Sequence, residues 1–62
     1  MNWINVNFQH PPVNVMLLAW IFDGKEGAAC FCHYKDKKFL DNQDNEIKDV
    51  THWIEWTEPK FM

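Results

Sequence analysis

The stretch from Val13 to Phe22 constrains the fold more than any other part of the chain. Read as a strand, it places Val15, Leu17, Ala19 and Ile21 on one face and Met16, Leu18, Trp20 and Phe22 on the other. Both faces are apolar. An antiparallel sheet usually keeps one face wet, so such a strand belongs in the centre of a curled sheet or small barrel, or beneath another subunit. The chain has 62 residues, which is little material with which to cover two faces. A domain of this size buries only roughly 60% of the surface its unfolded chain exposes. Dense aromatic packing is the visible compensation: four Trp are present, and each buried aromatic removes about 150–250 Å² from water. The packing argument predicts either a small closed barrel or a homo-oligomer.

Residues 1–62 read as one small β domain with no linker, repeat or low-complexity stretch. The expected fold is mostly β, a small antiparallel meander of four to five strands forming a curled sheet or small barrel. Trp3-Ile4-Asn5-Val6 opens it, and Gln9-His10-Pro11-Pro12 follows as an extended loop, because successive prolines cannot donate to a ladder. Val13–Phe22 then turns at Asp23-Gly24 into a returning strand over Ala28–Lys35. Asp36-Lys37 turns again into Lys38–Asp41, and the polar run Asn42–Asn45 forms a loop. A last strand runs from Ile47 to Trp56; Ile47, Val50 and Ile54 also fit helical spacing, but Val50-Thr51-His52-Trp53-Ile54 favours a pleat.

Composition excludes several functions. The net charge is −3 and all six basic residues are Lys. Without Arg, the side chain that grips phosphate and guanine in two-pronged fashion, the chain is a poor candidate for nucleic acid. Lys35, Lys37 and Lys38 read as a solvated turn. No apolar run approaches the ~18 residues of a membrane span, and no secretion signal is visible. These features point to the cytoplasm, where Cys30 and Cys32 stay reduced. Separated by Phe31 on one strand, the two thiols share a face at a spacing of roughly 6–7 Å, too far for a bridge.

No catalytic apparatus is recognisable, and the chain reads as a non-enzyme. There is no Ser, and Thr51 and His52, adjacent on a strand, should point to opposite faces. Cys30, Cys32, His10 and His52 offer zinc donors but lack the paired-knuckle spacing of a structural site, so no metal or other cofactor is expected. Asp41, Asp44 and Glu46 resemble a calcium loop in composition only. Recognition therefore falls to the aromatic residues, with two or three Trp in the core and the rest at an interface. The expected partner-binding residues are Trp56, Trp53 and Trp3, with Asp44, Glu46 and Glu55 from the acidic C-terminal third.

The two ends carry a further signal. The opening Trp3-Ile4-Asn5-Val6 and the closing Asp49-Val50-Thr51-His52-Trp53-Ile54 with Glu58-Pro59 resemble domain of unknown function family 551, small phage and prophage proteins. The chain departs from that pattern before the long strand, where His10-Pro11-Pro12-Val13-Asn14 replaces a Leu-Pro pair and a Gly, and after Pro59, where further prolines are missing. The resemblance implies a phage- or prophage-encoded protein in the cytoplasm of a host bacterium. The family has no assigned chemistry; its likeness, taken with the small size and the absence of catalytic groups, leads to the expectation of a non-enzymatic role in binding a host protein, including counter-defence inhibition of the anti-CRISPR kind. Two alternatives stand beside it. One is an oligomeric sponge for a signalling nucleotide, with Trp or Tyr rings around the base and Lys35, Lys37 or Lys38 on the phosphates; the other is a structural phage component.

Overall fold

The computed structural model describes residues 2–57. The closing Glu58-Pro59 segment lies outside the described residues. The protein is mostly β, a single antiparallel sheet of six strands: β1 (Ile4–Asn5), β2 (Leu17–Phe22), β3 (Gly27–Lys35), β4 (Lys38–Leu40), β5 (Glu46–Ile47) and β6 (Val50–Glu55). Their order across the sheet is β1-β6-β2-β3-β4-β5. From β2 to β5 the chain is a meander, but β6 returns to insert between β1 and β2. The sheet stays open instead of closing into a barrel. Its edge strands, β1 and β5, each have only two residues and can offer little to one another. The run from Ile47 to Trp56 is extended, as its β-branched content requires, yet it splits into two strands. Asp49 adopts a left-handed φ of 65°, which ends β5 and redirects the chain into β6.

Three turns set the register, each with its own chemistry. Asp36 and Lys37 have φ of 53° and 63° and form the two-residue turn between β3 and β4; positive φ at both central positions matches the twist of the flanking strands. Between β2 and β3, the Asp23 carboxylate accepts the N–H groups of Lys25 at 2.8 Å and Glu26 at 2.9 Å, while Gly24 supplies the positive φ of 103°. The β4–β5 loop is wound around Asp41 in the same way: its carboxylate accepts from Gln43 at 2.8 Å and Asn45 at 2.9 Å. These backbone donors favour the charged form and hold the carboxyls of Asp23 and Asp41 below the usual range.

The core lies on one face only. Leu17, Ala19, Cys32, Tyr34 and Trp53 are buried there, with Ile4, Val6, Phe39, Ile47 and Val50 packed around them. Most of the core alternates along the strands: the register pairs Leu17 with Cys32, Ala19 with Trp53, and Tyr34 with Phe39. What covers this face is not a second layer but the loop between β1 and β2. Pro11 is buried, His10 stacks on Tyr34 with ring centroids 6.2 Å apart, and the Trp53 indole donates to the Gln9 carbonyl at 2.9 Å. At its far end the loop is tied down where the Asn14 N–H donates to the Tyr34 carbonyl at 3.3 Å. The prolines thus serve as a lid with few donors of its own to satisfy.

Trp53→Phe removes the donor that holds the loop while keeping an aromatic ring. It should cost about 1–2 kcal/mol and raise amide exchange in the covering loop selectively, as read by thermal melts and hydrogen exchange. The Asp41 carboxyl, lowered in the folded state, contributes stability that is complete above its ordinary value of 3.8 and is lost as pH falls through the lower folded value. Asp41→Asn keeps an acceptor and should flatten the acid limb of the stability-versus-pH curve.

Candidate interaction surface

The residues between the core positions point to the opposite face, and no element among the described residues covers it. Leu18, Trp20 and Phe22 of β2 share this face with Ala29 and Phe31 of β3 and with His52 and Ile54 of β6. Two aromatic pairs stand on it. Trp3 meets Trp20 edge to face at a centroid distance of 6.3 Å, and Phe31 meets Trp56 at 5.3 Å. Half-buried Leu18 and Ile54, which pair across β2 and β6, lie on the same surface. Phe31 is 54% exposed and Met16, at the entry to β2, 56%.

Trp20 rests on Gly27. A methyl group added there would collide with the indole, yet Gly27 does not require positive φ, so the glycine serves the ring above it and not the backbone. Trp3, Trp20 and His52 line a shallow hollow of about 320 Å³. Trp3 also borders a second, of about 550 Å³, with Asn5, Asn7, Phe8 and Gln9, and Phe8 is 86% exposed. The apolar surface therefore continues past the β1 edge.

A bulge shapes the same face. The β2–β6 register moves from Trp20–His52 to Ile21–Val50 and leaves Thr51 without a register partner on β2. The expectation that Thr51 and His52 point apart is corrected by it, because the His52 Nδ1 lies 2.9 Å from the Thr51 hydroxyl oxygen. That hydroxyl also lies 3.5 Å from the Trp20 carbonyl. The pair fixes the His52 ring beside Trp20. On the covered face, burial pushes the Cys32 thiol up to about 11, with Cys30 adding to the effect, and burial followed by the Asp41 charge raises Cys30. Both cysteines are free, and raised thiols are poor nucleophiles.

The sequence-expected site residues are dispersed. Trp3 and Trp56 lie on the open face, one in each aromatic pair. Trp53 is 3% exposed and bonded to Gln9, so it is a core residue with no surface to offer a partner. Asp44 and Glu46 are exposed in and after the β4–β5 loop, where Asp44 lies 3.5 Å from His33. Glu55 pairs with Leu17 at the end of β6, and its register position belongs to the core face. Lys35 and Lys38 face each other beside the β3–β4 turn, across the sheet from Trp3. Phe31 was not singled out by sequence reasoning; the signal was its position between two cysteines that alternate into the core. Comparison with known protein families, curated proteins and solved structures gives no match.

Gly27→Ala should leave the β2–β3 ladder intact and displace Trp20. The exciton signal of the Trp3–Trp20 pair in circular dichroism should then collapse while the melting midpoint moves little; an unchanged signal would refute the packing of Trp20 on Gly27.

Proposed function

We propose that the protein is a non-catalytic binding protein whose working surface is the open aromatic face. One observation carries this reading: the pairs Trp3–Trp20 and Phe31–Trp56 stand on a face that no described element covers. A monomeric domain rarely leaves such a contiguous apolar patch without a use for it. Trp and its aromatic neighbours supply the largest share of binding energy in protein interfaces. Asp44 and Glu46 extend the surface on the β5 side with negative charge, which suits a partner with a basic rim. The resemblance at the two ends adds the setting: a phage- or prophage-encoded protein acting on a host protein in the bacterial cytoplasm, with counter-defence as the sharpest form of that role.

The full chain, immobilised and exposed to bacterial lysate, should retain a discrete host protein. Trp20→Ala and Phe31→Ala should each weaken that complex by at least about 2 kcal/mol, roughly thirtyfold, whereas Cys30→Ser on the covered face should not. Retention that is indifferent to all three substitutions would overturn the assignment.

A further inference from the structure

β3 is nine residues long, but β4 pairs only with its last three, His33 to Lys35. Among the described residues, the outer edge of Gly27–Cys32 has no strand beside it. The direction of its backbone groups follows from both ends. Lys35 closes the two-residue turn with Lys38, whereas the Tyr34 carbonyl points inward to accept from Asn14. At the other end, Phe22 donates away from β3 to the Asp49 carbonyl, which turns its partner Gly27 outward. By alternation, the N–H and C=O groups of Gly27, Ala29 and Phe31 face the open edge. Natural sheets blunt such an edge with Lys, Pro or inward charge. Gly27-Ala28-Ala29-Cys30-Phe31 carries none of these.

We infer that this edge pairs with the same edge of a second copy, antiparallel and centred on Ala29, to make one continuous sheet. Three observations select a second copy as the occupant. Centring on Ala29 sets Gly27 opposite Phe31 and Ala29 opposite itself, so every outward donor meets an outward acceptor and six hydrogen bonds form by this geometry. The same register brings Phe31 of each copy over Gly27 of the other, where Trp20 already lies; the two aromatic pairs then join into one row, Trp3–Trp20 with Phe31–Trp56 of the second copy. It also carries the exposed β2–β3 tip to the β4–β5 loop of the second copy, with Lys25 opposite His33 and so toward its neighbour Asp44, and Glu26 opposite Cys32. The incoming strand runs in line with β4 and in the same direction, beginning at Gly27 where β4 ends at Leu40. This inference concerns the edge of the sheet and does not depend on the reading of its open face.

The full chain should show a concentration-dependent dimer in sedimentation equilibrium. In the dimer, the amides of Gly27, Ala29 and Phe31 should become protected from exchange. Ala29→Pro removes an outward donor and leaves the inward ladder whole, so it should give a monomer with an unchanged β signal in circular dichroism. Ala29→Lys sets like charges face to face and should do the same should the proline variant fail to fold. Lys25→Glu should weaken the dimer roughly three- to tenfold at low salt, with the difference shrinking as salt is added. Register is read directly by Ala28→Cys: the new thiol lies opposite Cys30 of the second copy, so mild oxidation should cross-link the dimer, and Cys30→Ser in the same chain should prevent it. A monomer at every concentration, a dimer untouched by both Ala29 variants, or a dimer abolished only by Trp20→Ala would each overturn the inference. The last outcome would place self-association on the open face and leave the proposed host-protein site to be judged by its own capture experiment.

Discussion

Leu17 and Ala19 have no exposed surface, and an eleven-residue loop, not a second layer of structure, achieves this. That loop can cover one face of the sheet and no more. Its hold on the sheet comes from a few contacts: the Trp53 indole on the Gln9 carbonyl, the His10 ring on Tyr34, and the Asn14 amide on the Tyr34 carbonyl. The chain spends its loop on the face carrying Leu17 and Trp53, and Trp20 and Phe31 are left facing outward. The plane of the sheet thus divides the molecule: the loop-covered side supplies its stability, and the bare side is the one proposed for recognition.

The insertion of β6 between β1 and β2 is what makes this division workable. It gives β2 a hydrogen-bonded neighbour on each side and brings Trp53 from the far end of the chain onto Ala19. The same strand carries the bulge at Thr51, which turns the His52 ring toward Trp20 and extends the aromatic surface past β2 to Trp3. Pairing over such sequence separation costs loop-closure entropy, most of all for β1 with β6.

Much of this architecture could be read from the residues. Asp36-Lys37 and Asp23-Gly24 announced their turns through side-chain and φ chemistry, and the alternation in Val13–Phe22 identified the central strand with both faces apolar, although Asn14 takes a φ of 62°, Val13–Val15 form a turn and bend, and the strand itself spans only Leu17–Phe22. The symmetry of that pattern also explains where reading stopped. With Val15, Leu17, Ala19 and Ile21 no more apolar than Met16, Leu18, Trp20 and Phe22, nothing local says which face the loop will cross. The assignment of Trp53 to a partner surface, and the omission of Phe31, follow from that ambiguity. The position of β6 and the bulge at Thr51 depend on non-local pairing, which strand propensity does not encode. The terminal Trp-Ile and Thr-His-Trp segments, noticed as a family-like signature, prove to be neighbours in space: Ile4 pairs with Trp53 and Asn5 with His52.

The unequal treatment of the four tryptophans is the most direct expression of the account. With 5-fluorotryptophan incorporated throughout, the fluorine resonances of the monomeric protein can be assigned by single substitution and then exposed to a soluble paramagnetic chelate. The Trp53 resonance should remain sharp while those of Trp3, Trp20 and Trp56 broaden. Equal protection of Trp20 and Trp53 would show that both faces are covered and would contradict the one-sided sheet on which the proposed function rests.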